Sequence, residues 1–148
     1  MAGDEKVVAF QDIKPAAFRH YLVIPVDHIP TVKDLQRREE DYSLVSHMLT
    51  VGQTLLRRDA PQSNQYRFGF HQPPLNSVNH LHLHCLALPF MPRQVLIFGS
   101  HYVFEFYIIH VSTMGWKRVK YLSLGPLGGF IEAEKLLEKI KPYSPIAS

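Results

Sequence analysis

The sequence predicts an α+β domain in which a mainly antiparallel sheet packs against one long helix. Four short β-rich runs are bounded by turn residues, one long amphipathic stretch lies between the second and third, and a shorter one follows near the carboxyl end. Strands of this kind with a single helix between them are typical of an antiparallel sheet with the helix on one face. The composition, 46% hydrophobic and 20% charged, is that of a folded globular domain.

Length, cysteine usage and charge narrow the class further. A chain of 148 residues is expected to form one domain. Cys85 is the sole cysteine, which excludes an intramolecular disulfide and fits a reducing compartment. The net charge of +3 is too small to predict a nucleic-acid partner. Because the first residues lack the apolar run of a secretory signal, a cytoplasmic or nuclear location is expected.

Two strands are predicted before the long helix. Val7–Phe10 is a β-rich run that ends at the turn-prone stretch Asp12–Pro15. The second strand, His20–Ile24, ends at Pro25, which has no backbone N–H to donate to a sheet. Alternation along this strand places His20, at its first position, on one face with every second residue after it.

The long helix is predicted over Arg38–Asp59. Its apolar residues recur at the three- and four-residue steps of an amphipathic helix: Leu44, Val45, Met48, Leu49, Val51, Gly52, Leu55 and Leu56. Acidic residues crowd its first turn and arginines its last, as the helix dipole favours. The dipeptide Ala60-Pro61 then ends the helix.

Two further strands and a second helix follow. Tyr66–Phe70 is the third predicted strand, and the paired prolines at 73 and 74 make His71–Ser77 a loop. The fourth predicted strand is His80–Leu88. The stretch Gly128–Ile140 contains an amphipathic helix whose apolar face is formed by Ile131, Leu136, Leu137 and Ile140.

The segment Gln94–Gly115 differs from the rest of the chain because it is densely apolar and aromatic. It approaches the length of a transmembrane helix, but Glu105, His101 and His110 interrupt it. A charge at the centre of a bilayer is costly, so no membrane span is expected.

Nine histidines are the unusual feature of the composition, and three of them alternate in one predicted strand. His80, His82 and His84 are therefore expected to project from one face, roughly 6–7 Å apart at the rise of a strand. The side chains between and after them are expected to face a core: Leu81, Leu83 and Cys85. A surface or structural role is expected for four other histidines: His28, His47, His101 and His110.

Three histidines on one face are consistent with two kinds of chemistry. Imidazole is a common zinc ligand, although no Asp or Glu lies near the three in sequence and Cys85 is expected to face away. The alternative is nucleophilic and acid–base chemistry at phosphorus. An imidazole with a pKa of about 6.5 is a competent nucleophile at neutral pH, and protonated neighbours can neutralise phosphoryl charge.

The run His80-Leu81-His82-Leu83-His84-Cys85-Leu86 resembles the signature of the histidine-triad (HIT) family of nucleotide hydrolases and transferases. Phe10–Pro15 and His20–Pro25 are similar to the upstream segments of that family, at the expected spacing. The resemblance implies a HIT-like fold with one long helix and a C-terminal helix, and a homodimer.

Further segments resemble the Hint branch of this family. Gly69–Pro74, with Ser77 before the triad, is closest to the Hint proteins that resemble aprataxin. Ser123–Phe130 is similar to the plant Hint proteins within that group. The similarity covers about Glu5–Arg93 and Trp116–Ile140.

The resemblance implies roles for the histidines and for a nucleotide pocket. His82 would be the nucleophile that forms a covalent nucleotidyl-histidine, and His80 and His84 would hold the phosphate and assist proton transfer, with His20 in support. The residues implied in nucleotide binding are Asp12 on the ribose hydroxyls, Phe10 and Ile13 at the base, Ser77 on the phosphate or leaving group, and His71 on phosphate or ribose. From the residues alone, Asp12 and Ser77 are equally explained as caps of their loops, and Phe10 and Ile13 as core.

The implied activity is cleavage of AMP from a poor leaving group. Adenosine 5′-monophosphoramidate is the expected substrate, and adenosine 5′-phosphosulfate, cleaved by water or by phosphate, is another. The resemblance implies an adenine nucleotide as partner, and no metal, cofactor, membrane or nucleic acid. A nucleotide-binding interaction module without turnover and a zinc-binding domain remain the alternatives.

The sequence departs from the family pattern in two places. Relatives usually begin with a further segment before the Val7 strand, and this sequence is expected to lack it. Removing 94–115 would join Arg93 to Trp116 in an uninterrupted family-like sequence. That segment is therefore predicted to be a loosely packed insertion in a single domain spanning 1–148.

Overall fold

The computed structural model describes residues 2–74, 76, 78–90 and 129–143. Within them, antiparallel strands form one sheet: β1 (Ala2–Gly3), β2 (Val7–Gln11), β3 (Ala17–Pro25), β4 (Tyr66–His71), β5 (Leu83–Phe90) and β6 (Phe130–Glu132). The strand order across the sheet is β1-β2-β3-β5-β4-β6. The helices are α1 (Glu39–Asp59) and α2 (Ala133–Ile140), and a short 3₁₀ helix (Val32–Asp34) precedes α1. The predicted α+β class is confirmed.

The helix α1 matches its predicted bounds to within one residue and packs across β3 and β5. Its buried positions follow the predicted stripe, and its last turn is closed by the Ala60 N–H, which donates to the Leu56 carbonyl at 2.8 Å. Gly52 lies where the helix comes closest to the sheet, because a Cβ added there would collide with Cys85 Sγ. The helix therefore needs a residue without a side chain at this position.

The hydrophobic core lies between α1 and one face of the sheet. Leu81, Leu83 and Cys85 are buried in it, on the side opposite the histidines, as the alternation predicts. A second, smaller cluster of buried residues lies apart from this core: Ala16, Ala17, Leu86 and Phe130.

The prediction that the fourth strand begins at His80 is wrong, because the strand begins three residues later. Leu83 pairs with Val23 as the first residue of β5, and the strand continues to Phe90 rather than ending at Leu88. Residues 80–82 precede the strand, and the Leu81 N–H donates to the Ile29 carbonyl at 2.6 Å.

The carboxyl-terminal region also differs from the prediction. The helix α2 begins at Ala133, and Ile131, assigned in the prediction to its apolar face, is in β6. There it pairs with Phe70 of β4 and is buried. Strands β1 and β6 are short and were not predicted.

Two predicted features lie outside the described residues: Ser77 and the segment 94–115. The insertion therefore stays a prediction. In the part of the chain that is described, neither α1 nor α2 is long and apolar enough to cross a membrane.

Candidate active site

The register of the sheet places two histidines side by side on the face away from α1. His84 of β5 pairs with Leu22 of β3, and His20 of β3 pairs with Leu86 of β5. Directly opposed and alternate residues of an antiparallel pair share a face, so His20 and His84 point the same way. Both are buried, with exposed fractions of 1% and 6%.

Three imidazole rings surround that of His84. The centroid of its ring lies 4.9 Å from that of His82, 4.7 Å from that of His71 and 5.1 Å from that of His20. The ring of Phe130 lies 6.3 Å from that of His84. We call His20, His71, His82 and His84 the imidazole cluster.

Hydrogen bonds fix the tautomers of the two most buried rings. The Ala16 backbone N–H donates to His20 Nδ1 at 3.1 Å, so this nitrogen carries a lone pair and the proton of the neutral ring is on Nε2. His20 Nε2 lies 2.9 Å from His84 Nδ1 and donates to it. The neutral ring of His84 therefore carries its own proton on Nε2.

Burial keeps these rings neutral. Desolvation lowers the pKa of His20 to about 4, against a smaller opposing effect of Asp12. Desolvation, with a contribution from the neighbouring imidazoles, also lowers the pKa of His84 far below its usual range. The pKa of His71 is lowered by burial as well.

The ring of His82 presents Nε2 as a lone pair. Its Nδ1 lies 2.7 Å from the His80 backbone carbonyl oxygen. A carbonyl oxygen only accepts hydrogen bonds, so Nδ1 must carry the proton. In the neutral ring Nε2 is then unprotonated, which is the form that a nucleophilic imidazole requires.

The ring of His80 does not continue the expected row. Its Nδ1 lies 3.0 Å from Nδ1 of His28, and its Nε2 lies 3.0 Å from the Pro25 carbonyl oxygen. The predicted single row of three imidazoles is therefore divided: His82 and His84 belong to the imidazole cluster, and His80 pairs with His28. Both His80 and His82 precede the regular strand, which begins at Leu83.

Asp12 lies at the edge of the imidazole cluster. Its Oδ1 accepts the Lys14 N–H at 2.8 Å, as a turn-capping Asp does. Its Oδ2 lies 3.6 Å from His20 Nδ1, which is too long for a hydrogen bond. Because that nitrogen already accepts from Ala16 and the pKa of His20 is low, the contact is not an ion pair.

The two apolar residues predicted at the base pocket differ in their exposure. Phe10 in β2 is half-buried, whereas Ile13, in the loop before β3, is 93% exposed. Ile13 is therefore not a core residue in this chain. An exposed apolar side chain beside Asp12 is available to contact a bound base, and this role stays a prediction.

His71 lies at the end of β4 and belongs to the imidazole cluster. Its Nδ1 donates to the Gly129 carbonyl oxygen at 3.1 Å, so the neutral ring carries its lone pair on Nε2. The ring of Phe130 lies 5.3 Å away. Gly129, which precedes β6, and Phe130, the first residue of β6, thus orient His71.

A small cleft, partly open to solvent, borders His82. Its lining includes three histidines, His71, His80 and His82, together with Pro30, Asn76 and Val78. Within residues 2–74, 76, 78–90 and 129–143, no three His, Cys, Asp or Glu side chains are grouped to hold a metal ion.

Comparison with known proteins identifies the family. Residues 1–95 match the family described as "Scavenger mRNA decapping enzyme C-term binding". The chain is similar to the bifunctional adenosine 5′-phosphosulfate phosphorylase/adenylylsulfatase HINT4 of Arabidopsis thaliana. The two sequences are 67% identical over 139 residues, and this alignment covers 94% of this chain and 80% of HINT4. The chain belongs to the histidine-triad (HIT) family. Its predicted similarity to plant Hint proteins is confirmed by this relative.

Other HIT proteins support the same assignment. A HIT family hydrolase from Legionella pneumophila superposes with a TM-score of 0.53 and 32% identity, covering 58% of this chain and 77% of that one. The HIT-like fold is thereby confirmed. The adenosine 5′-monophosphoramidase HINT3 of Mus musculus is 45% identical over 85 residues, which cover 57% of this chain and 50% of that protein. Both curated relatives are named as enzymes that act on adenosine nucleotides.

Sequence reasoning missed His28 as a neighbour of the triad. Its position three residues after Pro25 gives a signal, since β3 and β5 are antiparallel and the end of one lies near the start of the other. The alternation of His80, His82 and His84 drew attention to their side chains only. It could not reveal that a backbone carbonyl orients His82.

Proposed function

We propose that this HIT chain hydrolyses adenosine nucleotides through a covalent adenylyl-histidine on His82. The observation that carries the proposal is the hydrogen bond from His82 Nδ1–H to the His80 carbonyl, which leaves Nε2 as a lone pair beside an open cleft. The substrate class is supported by the names of two relatives, since HINT4 is named as an adenosine 5′-phosphosulfate phosphorylase/adenylylsulfatase and HINT3 as an adenosine 5′-monophosphoramidase.

The first step forms the bond between His82 and the substrate. The Nε2 lone pair attacks the α-phosphorus, a phosphorus–nitrogen bond forms, and the bond to the leaving group breaks with its electron pair going to that group. An amine leaving group takes up one proton as it departs, whereas sulfate leaves as an anion and needs none.

The second step releases the nucleotide. Water attacks the same phosphorus, the bond to His82 Nε2 breaks and returns the lone pair to the ring, and AMP leaves. The proton that the water gives up balances the one that an amine takes, and with sulfate as the leaving group this proton is released to the solvent. Phosphate in the place of water gives ADP, so one intermediate accounts for both hydrolysis and phosphorolysis.

The rings around His82 suit this chemistry. Because burial keeps the ring of His84 neutral, it acts as a hydrogen-bond donor through Nε2 rather than as a cation. Neutral neighbours leave the His82 lone pair available, and oriented donors stabilise charge that develops on the phosphoryl oxygens. Asp12 and Ile13 are proposed to bind the ribose and the base.

The proposal is tested by measuring products from a substrate pair. The wild-type protein is expected to release AMP from adenosine 5′-monophosphoramidate, and AMP or, with added phosphate, ADP from adenosine 5′-phosphosulfate. His82→Ala is expected to abolish both reactions, and His47→Ala, which removes an exposed histidine on α1 bound to Asp4, serves as the matched control. Full turnover in His82→Ala would show that His82 is not the nucleophile.

The remaining alternatives give different results in the same preparation. Tight AMP binding by wild-type protein without release of any leaving group would favour a nucleotide-binding interaction module. Stoichiometric zinc, with a melting temperature that falls on chelation, would favour a zinc-binding domain. The homodimer and the cytoplasmic or nuclear location remain parts of the proposal, and sedimentation at micromolar concentration tests the former.

A further inference from the structure

His28 is an exposed histidine that lies against the first residue of the triad. It follows β3 by three residues, and its Nδ1 lies 3.0 Å from Nδ1 of His80, with ring centroids 5.1 Å apart. The backbone beside it is also joined to the triad segment, because the Ile29 carbonyl accepts the Leu81 N–H at 2.6 Å. The segment 28–30 therefore supports residues 80–82, which the strand ladder does not.

Hydrogen-bond donors and acceptors decide which of the two rings donates. His80 Nε2 faces the Pro25 carbonyl oxygen, which only accepts, so the proton of neutral His80 is on Nε2. His80 Nδ1 is then a lone pair. His28 must carry a proton on Nδ1 and donate it to His80.

Both ring nitrogens of His80 are thus used within the protein. One donates to Pro25 and the other accepts from His28, so the ring could contact a phosphate only after one of these bonds breaks. The group by which His80 reaches His82 is its backbone carbonyl, which accepts the His82 Nδ1–H at 2.7 Å. His80 is thereby suited to orient the nucleophile.

We propose that His28 is a positioning residue, which holds the ring of His80 by donating from Nδ1 and thereby fixes the backbone carbonyl that orients the nucleophile His82. The inference rests on the proposed function, since it assigns a role in that reaction. Without the donor at position 28, the His80 ring keeps only its bond to Pro25 and gains freedom to rotate. The His80 carbonyl and the His82 ring then lose part of their orientation.

The first test does not depend on activity. In the full chain with ¹⁵N-labelled histidine, nitrogen chemical shifts distinguish protonated from unprotonated ring nitrogens. His80 is expected as the Nε2–H tautomer in both proteins, because Pro25 still accepts from Nε2, but its Nδ1 resonance is expected to shift in His28→Ala, where that lone pair has lost its donor. His28→Asn is expected to restore the wild-type pattern, because the Asn amide nitrogen occupies the place of Nδ1 and donates. Unchanged His80 shifts in His28→Ala would overturn the inference.

The second test separates orientation from binding. With adenosine 5′-monophosphoramidate, His28→Ala is expected to lower kcat by about 10- to 100-fold while KM changes less than about threefold, because misplacing a reacting group affects the chemical step most. His28→Asn is expected to recover most of kcat. His47→Leu, at an exposed histidine remote from His80, serves as the matched control.

A double-variant cycle tests whether His28 acts through His80. Adding His28→Ala to His80→Ala is expected to lower kcat by less than about twofold further, because residues that act through one contact are not additive. Independent, additive losses would contradict the inference. If wild-type protein shows no turnover at all, the proposed function fails, and the nitrogen shifts still decide whether His28 fixes His80.

Discussion

Backbone groups determine the tautomers of several imidazoles in this chain. The Ala16 N–H gives His20 its Nε2–H form, and the His80 carbonyl gives His82 its Nδ1–H form. Through His20 the first of these also directs the proton of His84 to Nε2. Donors and lone pairs in the imidazole cluster are therefore assigned before any nucleotide binds, and the binding free energy of the substrate is not needed to arrange them.

The residues that carry the triad resemblance could be read from the sequence, but their partners could not. Alternation correctly predicted that Leu81, Leu83 and Cys85 face a core. It predicted nothing about Pro25 or His28, because these contacts join segments that are more than fifty positions apart in the chain. Long-range pairing depends on where β3 ends, which is a property of the sheet and not of the motif.

Asp12 allows a prediction in which its two carboxylate oxygens have separable roles. Asp12→Asn keeps an oxygen to accept the Lys14 N–H but removes the negative charge and one acceptor. We expect the dissociation constant for AMP to rise about 10-fold or more, as for loss of a charge-assisted hydrogen bond. The melting temperature is expected to stay near that of wild type. Isothermal titration calorimetry measures the first quantity and differential scanning calorimetry the second.

A matched variant separates the two roles of Asp12. Asp12→Ala removes the turn contact as well and is expected to lower both affinity and melting temperature. AMP affinity that is equal in Asp12→Asn and wild-type protein would leave Asp12 as a turn cap only.

The close contact between α1 and β5 depends on a glycine, Gly52. Periodicity predicted the helix and counted Gly52 in its apolar stripe, but it gave no reason for a glycine there. The reason is the Sγ atom of Cys85, which lies where a Cβ would be placed. Cys85 is fully buried, and burial raises the pKa of its thiol well above its ordinary value, so it acts as a packing group rather than a nucleophile.

Gly52→Ala is expected to destabilise the protein, although alanine is the better helix former by about 1 kcal/mol. Overpacking of the α1–β5 contact should lower the free energy of unfolding by about 1–3 kcal/mol. Urea unfolding followed by circular dichroism measures the change. Thr54→Ala, on the exposed side of the same helix, is the control and is expected to be near neutral.

The source of that cost can be checked in a second background. In Cys85→Ala, where Sγ is absent, Gly52→Ala should be neutral or stabilising, because its clash has been removed. A stabilising effect of Gly52→Ala in the wild-type background would contradict the proposed contact.

The boundaries of β5 and α2 show what periodicity leaves undetermined. The run His80–Leu88 was predicted as one strand, yet only residues from Leu83 onward meet a partner strand. Ile131 fits a helical stripe but pairs with Phe70, since β6 lies along the edge of β4 that is opposite to β5. Strand ends are set by the partner that is available, and this information is not local in the sequence.

The sheet divides the molecule into an apolar side and a side with buried imidazoles. The class, the long helix and the histidine face were predictable because each depends on local periodicity. The burial of His20 and His84 was not, since it depends on neighbours that the motif does not contain. Buried neutral histidines make the stability of the whole domain depend on pH.

Stability is expected to fall as the pH is lowered from 7 to 5. The pKa of His20 is about 4 in the folded protein and 6.5 for an ordinary histidine, so the unfolded chain binds more protons in this range. The free energy of unfolding should fall on the order of 2 kcal/mol from His20 alone, with His84 and His71 acting in the same direction. Above about pH 7 the dependence is expected to level off.

Urea unfolding at pH 5, 6 and 7 measures this dependence, and His20→Gln is the variant that tests its origin. Glutamine does not titrate, so the slope between pH 5 and 7 should be smaller in the variant. The Asp4 carboxylate, whose hydrogen bonds lower its pKa to about 2, titrates below this range and does not contribute. A stability that is independent of pH, or that rises toward pH 5, would contradict the neutral imidazole cluster.

The measurement that bears most directly on the mechanism is the capture of the covalent intermediate. The protein is mixed with excess adenosine 5′-phosphosulfate and quenched within milliseconds in alkali, because phosphorus–nitrogen bonds to histidine survive there. The quenched protein is then digested and analysed by mass spectrometry. An adenylyl group is predicted on His82, absent from His82→Ala. Rapid release of AMP with no adduct on any histidine, or with the adduct on another residue, would contradict the account.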